Sequence, residues 1–242
     1  MKALRAQSLA EIRMTLQRRE TLLLTVGIPL LLLVFYSKFK VMPVPGRPVD
    51  FVTPGILALC VMSTAFVSLS IATGFDRSYG VLRRLHVTPL GRQRLILSKV
   101  IGVLVVEVLQ IFLVSLVALG LGWRPRGGAL GALVVLLALL LATSAFAGIG
   151  LVLAGRLKGE VNLAASNGLY LVLLFVSGFI IPPSNLPGFL TQLVTAVPSG
   201  ALASGMHHVL GEGRGFGVAN AVSLVIWSVA GPLVAARSFQ FD

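Results

Sequence analysis

The sequence predicts an all-α membrane protein with six transmembrane helices. Three observations predict it. The 242 residues are 56% hydrophobic and only 12% charged, whereas a soluble domain carries about 25% charged residues. The mean hydropathy is +0.95. The apolar residues fall into long runs, and the cations collect in the polar stretches between them. So few charges cannot cover a surface facing water. In hydrocarbon, a helix satisfies its backbone within its own segment.

About 20 apolar residues cross the hydrocarbon core. Leu22–Tyr36 is the first candidate, short enough to need flanking residues, with Pro29 as a kink position. Phe51–Phe75, Leu95–Leu121, Leu130–Ala154, Leu163–Ile181 and Val218–Ala236 follow. The segment Pro182–Gly217 between the last two is rich in proline and glycine yet still apolar.

Before the first span, Leu4, Leu9, Ile12 and Leu16 stand among arginines. The last three share helical spacing, which predicts an amphipathic helix on the inner membrane surface; a soluble tail is the alternative. The charged start and the lack of a small-residue cleavage site predict no cleavable signal peptide.

Orientation follows from the cations. With the N-terminus inside, 14 Lys and Arg fall on the cytoplasmic side and 6 outside. That bias places both termini in the cytoplasm of a cell whose plasma membrane the chain crosses. The net charge of +12 and pI near 11.3 then serve topology and anionic headgroups, not nucleic acid.

Catalytic constellations are scarce. The acids are Glu11, Glu20, Asp50, Asp76, Glu107, Glu160, Glu212 and Asp242, and the histidines are His86, His207 and His208. None forms a zinc-protease, nucleophile-elbow or paired-carboxylate pattern. Cys60 stands alone within an apolar run and reads as a small buried hydrophobe. Adjacent histidines project in different directions, so His207 and His208 suit an interface better than a metal. The Gly211–Gly217 run has no strand before it, which weakens a dinucleotide reading and favours a flexible lead-in to the last helix. No Gly-Lys dipeptide occurs, so no P-loop cradles ATP phosphates. Energised work would need a partner's nucleotide chemistry.

Glu107 lies deep in the third span, where an ionisable group is costly, with Gln110 one turn on. Three roles stay open: lining a translocation or gating path, binding a proton, or an interhelical polar contact. Ser144, Gly148, Gly150 and Ala154 recur at four-residue spacings in the fourth span and let helices pack closely.

The loop between the second and third spans carries a short amphipathic segment, Ser78–His86. Val81, Leu82 and Leu85 share one side, Arg83, Arg84 and His86 the rest, and Thr88-Pro89 ends it. Such a helix suits a groove on a soluble protein or an anionic lipid surface.

In this loop Asp76, Gly80, Leu82, Leu85, Thr88 and Pro89 resemble the ABC-2 type permease family, membrane subunits of many drug, polysaccharide, lipid and haem-precursor export systems. Ser177, Gly178, Pro182, Leu186, Pro187 and Pro198 resemble that family's second motif, which follows the fifth span. The chain departs from the pattern at Asp76-Arg77-Ser78, where the family carries further acids, and at Met206-His207-His208, where it often carries Arg. The resemblance implies a coupling loop at residues 76–92 with a short coupling helix, where Asp76, Gly80, Val81, Leu82, Leu85, Thr88 and Pro89 dock an ATP-binding subunit. It also implies a re-entrant outer hairpin at residues 182–205. Two ATP-binding subunits, holding ATP and Mg, and a second permease copy or homologue would complete an exporter of an amphiphilic, lipid-linked or drug-like substrate. An ion-gradient-driven secondary transporter is the rival, but it would call for more intramembrane acids or paired broken helices than Glu107 alone. An intramembrane enzyme would need a catalytic pair that the sequence lacks.

Overall fold

A computed structural model of the chain describes residues 2–17, 19–39, 46–86, 92–177 and 194–238. Among them, every regular element is helical. We number them α1 (Lys2–Gln17), α2 (Arg19–Lys38), α3 (Pro48–Ser78), α4 (Val81–His86), α5 (Arg92–Gly120), α6 (Gly128–Arg156), α7 (Gly159–Val176), α8 (Pro198–Met206) and α9 (Val218–Ser238).

Five of these, α3, α5, α6, α7 and α9, are long and apolar enough to cross a membrane; the apolar helix Thr25–Lys38 within α2 is shorter. Their outward faces show what solvates them. On α5, Val108, Phe112, Leu116 and Leu119 are exposed, while Val103, Val106, Val114 and Ala118 are buried. An apolar face left outside suits lipid, not water.

Lipid gives apolar helices no hydrophobic reason to associate, so packing and hydrogen bonds hold the bundle. The most extensive pairing is α6 with α9. There a Cβ on Gly148 would lie 2.3 Å from the Gly231 carbonyl carbon, and Ser144 Oγ donates to the Ser228 carbonyl at 2.9 Å. Ser144 and Gly148 of the fourth span therefore meet Ser228, Gly231 and Pro232 of α9. On the other side of α6, a Cβ on Gly150 would come within 2.9 Å of the Phe66 carbonyl oxygen of α3.

The second span differs from its sequence expectation in length and regularity. It starts at Pro48, where a proline in the first turn loses no intrahelical bond, and it runs to Ser78. Met62–Ser68 within it is π-helical. It is the most buried span, with Phe66, Met62, Val61 and Cys60 fully enclosed.

Helix α1 packs against α5, closely enough that a Cβ on Gly102 would lie 3.2 Å from Glu11 Cβ. Leu9 and Met14 face outward. At the other end, α8 is buried at Ala201, Leu202 and Met206 and continues as a π turn, His207–Gly211. Trp227 Nε1 and Ser223 Oγ of α9 both donate to the Ala196 carbonyl, which ties α9 to the short helical stretch just before α8.

Candidate functional site

The joint between α3 and α4 is built by one glycine. Tyr79 N–H donates to the Phe75 carbonyl and Gly80 N–H to the Arg77 carbonyl, both at 2.9 Å. Gly80 then takes φ +71°, a left-handed helix end that glycine adopts without a Cβ penalty. The helix expected from Ser78 therefore begins at Val81. Within it Leu82 is 1% exposed and turns into the chain's own body. Tyr79, Val81, Arg83 and Arg84 are exposed. Thr88 and Pro89 lie outside the described residues, as does the side chain of Leu85.

Asp76, the acid of this motif, accepts from Lys99 Nζ of α5 at 2.5 Å. Lys99 is 5% exposed and also donates to Glu11 Oε1 of α1 at 3.1 Å. A lysine this enclosed needs paired carboxylates. Sequence reasoning counts Lys99 only as a topology charge. Its one available signal is position, a full turn beyond the start of the apolar run.

Above this ion cluster lies a cavity of about 420 Å³ between α1, α2, α3, α5 and α7. Ile28, Leu59, Val67, Val103 and Val106 give it apolar walls; Ser63, Thr64, Ser68, Thr73, Asn167 and Tyr170 give it hydrogen-bonding groups; Glu11 and Lys99 stand at one end. A second cavity of about 160 Å³, lined by Tyr36, Phe51, Ile56, Leu174 and His207, shares Leu59 and Tyr170 with the first. Volumes of this order hold small amphiphiles or parts of larger ones. Asn167 and Tyr170, on α7, went unnoticed in the sequence; polar residues inside an apolar run are the signal that finds them.

Gln110 is fully buried. Its Oε1 accepts from Thr64 Oγ1 of the π segment and its Nε2 donates to the Thr25 carbonyl of α2, each at 2.7 Å. The side chain ties three helices together beside the large cavity. Glu107 points elsewhere. It is 3% exposed, its Oε1 lies 2.7 Å from Thr143 Oγ1 of α6, and it is not part of either cavity wall.

Of the outer motif, Ser177 caps α7 and donates to the Leu174 carbonyl. Pro198 opens α8. Ser199 of α8 donates to the Leu173 carbonyl at 3.3 Å, which holds the two helices together. Gly178, Pro182, Leu186 and Pro187 lie outside the described residues. No group of three or more His, Cys, Asp or Glu that could hold a metal occurs among the described residues.

No curated protein matches the chain. The family described as ABC-2 type transporter matches over residues 3–210. That span takes in α1 to α8, the joint and both cavities. The chain belongs to the ABC-2 type transporter family and is an ABC transporter permease subunit.

Proposed function

We propose that the chain is the membrane-spanning subunit of an ATP-driven exporter, moving an amphiphilic, lipid-linked or drug-like substrate across the cytoplasmic membrane. The observation that carries this reading is the mixed chemistry of the large cavity. Aliphatic walls suit acyl or ring portions of a substrate, while the hydroxyls, Asn167 and the ion cluster at one end suit a polar head. Leu59 and Tyr170, common to both cavities, are where a substrate would pass from the first to the second.

In this reading α2 is the sixth span and both termini are cytoplasmic; the first twelve residues of the outer hairpin expected at 182–205 lie outside the described residues. Energy comes from two copies of a separate ATP-binding subunit that hold ATP and Mg and seat on Tyr79, Val81, Arg83 and Arg84. A second permease copy covers α7, the least buried span, whose exposed surface includes Asn167 and Gly168. A polar side chain there is better placed against protein than against lipid.

Affinity purification in mild detergent tests the partner. Recovery of a Walker-motif ATPase, lost on Val81→Asp with Arg84→Glu, supports the reading. Uptake of a lipophilic dye into proteoliposomes should then require both chains and ATP. Ion-gradient-driven uptake by the purified chain alone would favour the secondary transporter and overturn the proposal.

A further inference from the structure

The last turn of α3 makes contacts that docking does not require. Asp76, Arg77 and Ser78 are consecutive, so they point in three directions around the helix, and each direction is occupied. Asp76 meets Lys99, which also binds Glu11. Arg77 Nη1 donates to the carbonyls of Ala154 and Leu157 at the end of α6, each at 3.3 Å. Ser78 Oγ accepts the Gly159 N–H at the start of α7 at 2.9 Å and donates to the Gly74 carbonyl.

The turn between α6 and α7 is thus held at both helix termini by side chains of α3. A helix end leaves carbonyls and N–H groups without intrahelical partners, and Arg77 and Ser78 take one set each. The fit is close. A Cβ on Gly159 would lie 2.9 Å from Ser78 Oγ and 3.1 Å from Phe75 Cδ1, and a Cβ on Gly74 would lie 2.5 Å from Asn162 Nδ2. Deeper in, Asn162 Nδ2 donates to the Ser70 carbonyl and Ser70 Oγ to Asn162 Oδ1. Helix α7 is therefore fastened to α3 over more than two turns.

We infer that the α6–α7 turn is a second transmission point, driven by the docking helix through Arg77 and Ser78. This rests on the reading of α4 as the ATPase-docking element. A push on α4 passes through the rigid Tyr79-Gly80 turn to the last turn of α3. Arg77 then moves the end of α6, and Ser78 moves the start of α7, the helix that brings Asn167 and Tyr170 to the cavity. Arg77 and Ser78 are positioning residues; they touch neither nucleotide nor the cavity.

Hydrogen–deuterium exchange on the complex with its co-purifying ATPase tests this without a known substrate. ATP with vanadate should alter exchange in residues 81–86 and in residues 156–162 of the wild type. In Ser78→Ala and Arg77→Met the response of 81–86 should persist, while that of 156–162 falls to less than half. Ser78→Thr, which keeps the hydroxyl, should restore it. A purely structural role would raise basal exchange at Gly159 without removing the nucleotide response. An undiminished response in both variants would overturn the inference, as would a wild-type turn that is silent while α4 responds. Silence of both segments in the assembled wild-type complex would count against docking through α4 and the inference together. Should Arg77→Met fail to assemble, Ser78→Ala against Ser78→Thr decides alone.

Discussion

Replacing Gly148 by alanine should loosen the bundle at the crossing of α6 and α9. The new Cβ would stand 2.3 Å from the Gly231 carbonyl carbon, 2.5 Å from Pro232 N and 2.6 Å from Gly231 Cα, where ordinary contact begins at 3.4 Å. All three neighbours are backbone, so no side chain can swing aside. Helix α9 must retreat by roughly 1 Å, and a gap of that size forfeits a quarter to a half of each contact's attraction. Overpacking of this kind costs about 1–3 kcal/mol. Alanine returns about 1 kcal/mol of helix propensity, leaving a net loss of up to about 2 kcal/mol. In a chain of this size that lowers the thermal midpoint by up to about 8 °C, and by about 2 °C or more relative to a variant that gains the same helix propensity without the clash. Gly27→Ala is the control, because a Cβ there meets nothing within 4 Å. The readout is built in: Cys60 is the sole cysteine and is fully buried, so a fluorogenic maleimide reports the opening of the bundle on heating in detergent. A Gly148→Ala midpoint equal to or above that of Gly27→Ala would refute the close-approach argument.

Gly80→Ala meets no atom within 4 Å, so its cost is the left-handed backbone alone, about 1–2 kcal/mol. ATPase binding should weaken by about tenfold or more, and Gly80→Asn, which tolerates that conformation better, should retain more of it in a titration of the partner subunit. The Thr64–Gln110 pair should show coupling of about 0.6 kcal/mol, up to about 1.7, in a Thr64→Val and Gln110→Leu double-mutant cycle read by unfolding in mixed micelles; strictly additive effects would dismiss the bond. Glu107→Gln should keep transport near wild type, since the side chain faces Thr143 and leaves the cavity wall to others; a transport defect in a normally folded variant would return Glu107 to the pathway.

The long spans were legible because an apolar run of that length has few other uses in a chain so poor in charge. α5 and α6 lie within a few residues of the runs that forecast them. The face of α4 was not legible. A short amphipathic helix has an apolar side whether it meets another subunit or its own body, and only tertiary packing buries Leu82 while leaving Val81 outside. Lys99 hid because a cation at the end of a span always has a topological explanation. The α6–α9 crossing was half visible: the spacing of Ser144 and Gly148 announces a close approach, but Gly231 and Pro232 announce nothing until the helices are laid together. Arg77 registered as a topology charge, Ser78 as the start of a short helix and both as departures from a family pattern, whereas in three dimensions they cap the helices on either side of the α6–α7 turn.

The π-helical stretch at Met62–Ser68 has a bearing on how this chain can be recombined with its kin. A widened turn accommodates an added residue, and one residue is worth roughly 100° of rotation about the axis. The phase of α3 is therefore set separately on its two sides. Thr64 is aimed at Gln110 within the stretch, and Ser70 at Asn162 just after it. A chimaera joined inside residues 62–68 to a sequence without the widened turn would rotate one half of the helix by roughly 100° and turn Thr64 or Ser70 away from its partner. Junctions placed before Met62 or after Ser68 would carry the offset across whole.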